Sequence, residues 1–141
     1  MSIVYWDSML FIYLLEANPQ FAPKVERIQK QIENRGHQLV TSVFAVGEIL
    51  TGPRKTGDHD AVAAIQAWFR SGAVDLLPFT VETADRYSIL RSKFNVRQAD
   101  AIHLATAAVK GVDVFVTNDE HLQKLQIPGI TFMVGLDGKV F

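Results

Sequence analysis

Four carboxylates stand where an isolated acid needs a reason. Asp7 follows the apolar run Ile3 to Trp6, Glu48 lies inside VFAVGEIL, Asp100 inside QADAIHLATA, and Asp119 just after VFVTN. Asp is a mediocre interior helix residue, and acids are seldom fully buried without a partner. Around Glu48, Val43, Val46 and Leu50 form one stripe while Phe44 and Ile49 lie on other sides. Ala99, Ala101, Ile102, Leu104 and Ala105 surround Asp100 in the same way. A helix apolar nearly all round is expected to be buried, so its one carboxylate needs a donor or a cation. Each acid taken singly also has a plainer role. Asp7 and Asp119 suit helix N-caps, Asp100 a first-turn anion, and Glu48 an exposed helix position.

Brought together, the four would repel one another. Two charges about 4 Å apart cost about 4 kcal/mol at an effective dielectric of about 20. Such a cluster persists if some acids are protonated or if a hard divalent cation lies among them. The chain has no cysteine and no clear histidine set, so oxygen ligands favour Mg²⁺ or Mn²⁺ over Zn²⁺. Those ions polarise phosphoryl oxygens and make a bound water a nucleophile. The chemistry indicated is metal-dependent hydrolysis of a phosphate ester or diester.

The elements must place these acids. Ile3 to Trp6 is a short β-favouring run, and Asp7-Ser8 opens a helix over MLFIYLLE that Asn18-Pro19 breaks. Phe21 to Asn34 carries Phe21, Val25, Ile28 and Ile32 at helical spacing and ends before Gly36. Gln38 to Thr41 is a second strand. Ser42 then caps a helix expected to stop near Thr51-Gly52-Pro53. Asp60 to Phe69 is helical with Ala61, Ala64, Ile65 and Trp68 on one face. Val74 to Phe79 is a third strand, and Thr80 to Phe94 a helix with Val81, Ala84, Tyr87, Leu90 and Phe94 inward. QADAIHLATAAVK is the next helix, ending at Gly111. Val112 to Val116, Glu120 to Leu125 and Ile130 to Val134 complete the chain as strand, short helix and strand.

Short apolar strands alternating with helices predict an α/β fold with a mainly parallel sheet between helical layers. Ligands in such sheets bind beyond the carboxyl ends of the strands. Asp7 and Asp119 both follow strands and so share that edge, and Glu48 lies about one and a half turns into the helix after the second strand. The alternation leaves Asp100 the least firmly placed, because a helix returning to that edge must be short.

At 141 residues, 48% hydrophobic and 21% charged, the chain suits one soluble domain spanning residues 1–141. MLFIYLL is too short to span a membrane, and MSIVYWDS lacks the basic start of a secretory signal, so a cytoplasmic location is expected. Fourteen Lys and Arg against 15 Asp and Glu give a net charge of −1, which argues against gripping nucleic acid by bulk charge. Setting the four acids aside leaves 11 acidic residues against the 14 basic ones, compatible with a basic rim around an acidic pocket.

The motifs resemble the PIN-domain nucleases, most closely the VapC-type toxins of bacterial and archaeal toxin–antitoxin modules. The resemblance covers essentially the whole chain. Asp7-Ser8 is similar to the family's opening acid and its hydroxyl neighbour, and SVFAVGEILTG to the second motif with Glu48 as its acid. ADAIHLATA resembles the third motif with Asp100, and VTNDEHL followed by PG the fourth, with Thr117 and Asp119 as its polar pair. Any one is weak, and four in order at suitable spacing are specific. The resemblance implies a PIN-like three-layer sandwich with a mainly parallel five-stranded sheet, in which the Asp100 equivalent reaches the pocket. It implies a Mg²⁺- or Mn²⁺-dependent endoribonuclease, with Asp7, Glu48, Asp100 and Asp119 as metal-site and catalytic acids. Ser8 and Thr117 would orient them by hydrogen bonds. It further implies a homodimer and a small VapB-like antitoxin whose C-terminal segment covers the pocket, often with an arginine. TGPRKTGDHD, Thr51 to Asp60, is expected to be a loop that contacts that partner.

Arg54 and Lys55 after the Glu48 helix, and Arg91, Lys93 and Arg97 before Asp100, are candidates for RNA phosphate contacts, although each taken alone is ordinary surface charge. His103, one turn after Asp100, could be a ligand or base and is read here as a satisfied core or boundary residue. His59 and His121 are read as solvated, and Tyr5, Trp6 and Phe11 as core. A haloacid-dehalogenase-like phosphatase needs a second Asp where Met9 stands, and a receiver domain needs an early acidic pair that is absent. A D-x-S-x-S adhesion-type site needs hydroxyls where Met9 and Phe11 stand. The remaining alternative is a catalytically inactive PIN domain that binds RNA or protein, against which the four intact acids argue.

Overall fold

The computed structural model describes residues 1–138. Five strands, β1 (Ile3–Trp6), β2 (Gln38–Ser42), β3 (Asp75–Leu77), β4 (Val114–Val116) and β5 (Phe132–Val134), form one sheet in the order β3-β2-β1-β4-β5. Every pairing is parallel, with Tyr5 opposite Val40 and Phe115. Seven helices connect them: α1 (Ser8–Leu15), α2 (Ala22–Asn34), α3 (Val43–Thr56), α4 (His59–Arg70), α5 (Val81–Lys93), α6 (Gln98–Lys110) and α7 (Glu120–Gln123). Among the described residues, no helix is long and apolar enough to cross a membrane.

Side chains of a strand alternate between faces, and this alternation builds two cores. Val4, Trp6, Val114 and Val116 point into a layer with Leu10, Phe11, Val25, Ile28, Ile49, Ile65 and Phe69 from α1 to α4. Tyr5, Val40 and Phe115 point the other way, into Leu90 of α5 and Ala101, Leu104, Ala105 and Ala108 of α6. The helix–sheet–helix sandwich expected from the sequence is therefore the fold observed.

The sheet reverses its winding beside β1: the chain moves out through β2 and β3, then returns to lay β4 on the opposite flank. In parallel sheets the crevice at such a reversal is where ligands bind. Asp7 leaves β1 there, and its backbone N–H donates to Val116 O at 3.3 Å, so the ends of β1 and β4 are tied together.

Several local expectations are corrected. α3 does not stop at Gly52-Pro53 but continues to Thr56, so most of Thr51 to Asp60 is helical. Pro53 removes one backbone hydrogen bond. Thr51 Oγ1 donates to Gly47 O at 2.8 Å and Thr56 Oγ1 to Pro53 O at 3.2 Å, while Arg54 and Lys55 lie where the helix dipole favours cations. Gly57, at φ 72°, then ends the helix in a left-handed cap. α3 is also not apolar-buried all round, because Val43 and Phe44 are exposed and only Ala45 and Ile49 are buried. On α4 the core face is Val62, Ile65 and Phe69, with Ala64 exposed. On α5, Val81 and Ala84 face outward, and Thr83 and Leu90 are the buried positions.

Candidate functional site

A cleft of about 490 Å³ opens at the carboxyl edge of the sheet, lined by Asp7, Ser8, Tyr13, Glu48, Arg97, Asp100, His103, Thr117, Asn118 and Asp119 among others. All four candidate acids, and both hydroxyl residues proposed to support them, border this one space.

Each acid arrives by a different route. Asp7 leaves β1 and caps α1, accepting from Met9 N at 3.0 Å. Asp119 follows β4 and caps α7 with the same oxygen, accepting from His121 N at 2.9 Å and Leu122 N at 3.4 Å. The plainer capping role is thus real for both, and each still borders the cleft. Asp100 comes from the first turn of α6. α5 and α6 pack against each other, and the turn Phe94 to Arg97 brings the chain back to the carboxyl edge, which is how α6 can begin beside the cleft. Glu48 projects from α3 with its side chain 28% exposed.

None of these carboxylates is without a partner. Arg97 Nε donates to Asp100 Oδ2 at 3.0 Å, and Asp119 and Glu48 add to the field on that guanidinium, raising its pKa. The Nε2 of His103 lies 2.5 Å from Glu48 Oε1, and its Nδ1 lies 2.6 Å from the Tyr5 hydroxyl. Burial holds the Asp7 carboxyl above its usual range. The nearby Asp100 charge pushes in the same direction, while the Thr117 hydroxyl, the neighbouring His103 and the Met9 N–H pull it back. Thr117, fully buried, also accepts from Asp119 N at 3.1 Å, so one hydroxyl links the two strand-end acids. Asn118 Nδ2 donates to the Tyr13 hydroxyl at 3.1 Å.

The donors facing the cleft are mostly oxygens (carboxylates, hydroxyls and an amide), and the burden on Asp7 is one that a cation would relieve. This chemistry fits a hard divalent ion. Among the described residues, no three His, Asp or Glu side chains stand together as a ready ligand set. Arg97 holds one acid and His103 another, so a cation would have to displace the first and share the second.

Of the basic residues singled out by position, Arg97 alone lines the cleft. Arg54 and Lys55 end α3, Lys93 is exposed at the end of α5, and Arg91 lies 6.0 Å over the Tyr87 ring. His103 was legible as buried, but its contact with Glu48 was not. The available signal was its spacing: three residues after Asp100 it projects from nearly the same side of α6.

The sequence matches the PIN domain family over residues 4–128. No match was found among the curated proteins. Among solved structures, the chain is similar to VapBC2 from Rickettsia felis bound to a DNA fragment from its promoter, with a TM-score of 0.76 at 14% identity over 94% of this chain and 98% of that one. It is similar to DNA-bound VapBC from Salmonella typhimurium, at TM-score 0.68 and 19% identity over 96% and 99% of the two chains. It also resembles the sarcin–ricin-loop-cleaving toxin VapC20 from Mycobacterium tuberculosis, at TM-score 0.65 and 18% identity over 79% and 86%. At these identities the likeness is one of fold.

Proposed function

The chain belongs to the PIN-domain family, and from that premise we propose that it is a Mg²⁺- or Mn²⁺-dependent endoribonuclease, the toxin of a toxin–antitoxin pair. The observation that carries this reading is the meeting of Asp7, Glu48, Asp100 and Asp119 around one cleft at the switch point of the sheet. Asp7 and Asp100 hold the cation in this proposal, Glu48 and Asp119 complete its surroundings, and Ser8 and Thr117 orient the acids. Bound there, a divalent cation supplies Lewis acidity at a phosphoryl oxygen and a nucleophilic water. The protein's own residues do the rest. Arg97, 80% exposed, exchanges Asp100 for a substrate phosphate. Thr117 keeps Asp7 and Asp119 in register. Arg54, Lys55, Arg91 and Lys93 serve only as outlying phosphate contacts.

The partners in this proposal are RNA, a second copy of the chain and a VapB-like antitoxin, with a cytoplasmic location. A second groove, of about 520 Å³, runs between α1, α3 and α4 past Leu15, Ile49, Pro53 and Ile65, and meets the acidic cleft at Glu48. An apolar antitoxin segment lying there would enter the cleft with its end, and would touch Gly52 to Thr56 as helical surface rather than as a loop.

The pairing of Asp100 with Arg97 and of Glu48 with His103 favours a second reading, a PIN domain that binds RNA or protein without cutting it. Cleavage of total cellular RNA with Mg²⁺, Mn²⁺ or EDTA, by wild type and Asp100→Asn, separates the two. Metal-dependent cutting lost in the variant supports the nuclease. A folded, antitoxin-free wild type that binds RNA but cuts none overturns it.

A further inference from the structure

We propose that His103 is a positioning residue for Glu48, its ring held in place by Tyr5. The inference rests on the acidic-site reading above and adds to it a residue outside the four acids and two hydroxyls.

The His103 ring is 3% exposed. It is wedged edge-on between Tyr5, with ring centroids 5.8 Å apart, and Phe44, at 5.7 Å. Both nitrogens are engaged, one by the Tyr5 hydroxyl and one by Glu48. A carboxylate only accepts, so Nε2 carries the proton facing Glu48. Nδ1 meets the Tyr5 hydroxyl, so the ring is held at both edges. Tyr5 suits that task. It is fully buried and stacked on Phe115 at 4.9 Å, so its hydroxyl is fixed in place. The result is a chain of contacts from the Tyr5 hydroxyl through Nδ1 and Nε2 of His103 to Glu48 Oε1.

Glu48 needs such a support. It is a long side chain, 28% exposed, at the border of the cleft and of the neighbouring groove. His103 occupies Oε1 and leaves the other carboxylate oxygen without that contact, on a residue that lines the cleft. The arrangement places a ligand through a hydrogen bond from an outer residue, a role whose loss typically costs about 10–100-fold in metal affinity or activity.

The test compares His103→Phe, His103→Gln, Tyr5→Phe and Glu48→Gln in the full chain. It measures Mn²⁺ binding by calorimetry, RNA cleavage as separate kcat and KM, and folding by thermal melts. Phe keeps the ring without the donor, whereas Gln restores an N–H near Nε2. We expect His103→Phe to weaken Mn²⁺ about 10–100-fold and lower kcat with KM for RNA little changed, His103→Gln to recover most of both, and Tyr5→Phe to fall between. Adding His103→Phe to Glu48→Gln should cause no further loss. Mn²⁺ affinity unchanged in His103→Phe, or His103→Gln no better than Phe, overturns the proposal. If His103→Phe does not fold, Tyr5→Phe and His103→Gln decide it, because wild-type Mn²⁺ binding in Tyr5→Phe together with none in a folded His103→Gln contradicts the chain. A Glu48→Gln protein that binds Mn²⁺ as wild type removes the acidic-site reading itself and this inference with it.

Discussion

Arg97 Nε donates to Asp100 Oδ2 at 3.0 Å across the mouth of the cleft, with Asp100 17% exposed and the arginine 80% exposed. An exposed ion pair of this kind contributes only about 0–1 kcal/mol to stability. Its weight lies elsewhere: it places a positive charge on an acid that a cation would use. Arg97→Ala should therefore leave the melting temperature almost unchanged while tightening Mn²⁺ binding about fivefold, the equivalent of about 1 kcal/mol of relieved competition. The same variant should raise KM for RNA, since the cleft loses the Arg97 guanidinium. Calorimetry and cleavage kinetics on one preparation check both, and weaker Mn²⁺ binding would show that Arg97 supports the site rather than competes for it.

The strain on Asp7 predicts a pH dependence. Burial and the Asp100 charge raise its folded pKa above the ordinary value of 3.8. The folded state therefore holds this proton more tightly than the unfolded chain does. Stability from this group is highest at low pH, declines as pH rises from about 3.8 toward the raised pKa, and stays reduced above it. Asp7→Asn removes the burden while keeping a good N-cap for α1. It should melt higher than wild type at pH 7, with the difference shrinking below about pH 4. Thermal melts of the two proteins across pH 3 to 8 check this, and a variant less stable at pH 7 would mean the carboxylate's hydrogen bonds outweigh its desolvation.

Cation binding should act on the same strain. A ligand at 100 times its Kd stabilises the folded state by about 2.7 kcal/mol, so saturating Mn²⁺ should raise the melting temperature of wild type by several degrees. The rise should vanish in the Asp7→Asn, Asp100→Asn double variant. An equal rise in both proteins would assign the binding to another place on the surface.

What the sequence made legible follows the range of each interaction. Asp7 and Asp119 are fixed by local events, a strand end and a helix cap, and both could be placed from a few neighbouring residues. Glu48 reached the cleft by an argument with a faulty premise: Val43 and Phe44 were expected inward and are exposed, so apolar composition alone misjudged α3. Asp100 depended on how α5 and α6 pair, a contact between segments that no local pattern encodes. The same limit hid the partner of His103, 55 residues away on another helix. Val81, 89% exposed, shows helical periodicity read one step out of phase at a helix start, where the first residue need not belong to the buried stripe. Gly52-Pro53 looked like a stop because the rescuing bonds come from threonine side chains, which leave no signature in hydrophobic spacing.

Gly129 offers a prediction about the scaffold behind the site. It follows Pro128 at φ 98°, a conformation strained for any L side chain, and a Cβ there would lie 2.6 Å from Ala108 O and 3.1 Å from Ala108 C and Cα. Those atoms belong to the backbone of α6, which cannot swing aside as a side chain does. Gly129→Ala thus combines backbone strain with a steric clash, at a cost on the order of 3 kcal/mol. Because α6 also carries Asp100 and His103, any relief obtained by shifting the helix should appear at the cleft. Gly129→Ala should melt well below wild type and, at temperatures where it stays folded, bind Mn²⁺ more weakly. Gly47→Ala is the control. Its Cβ meets nothing within 4 Å, and alanine is favoured over glycine by about 1 kcal/mol inside a helix. A Gly129→Ala protein as stable as wild type would mean that the chain after α7 can move away from α6 without cost, and that the site does not depend on this contact.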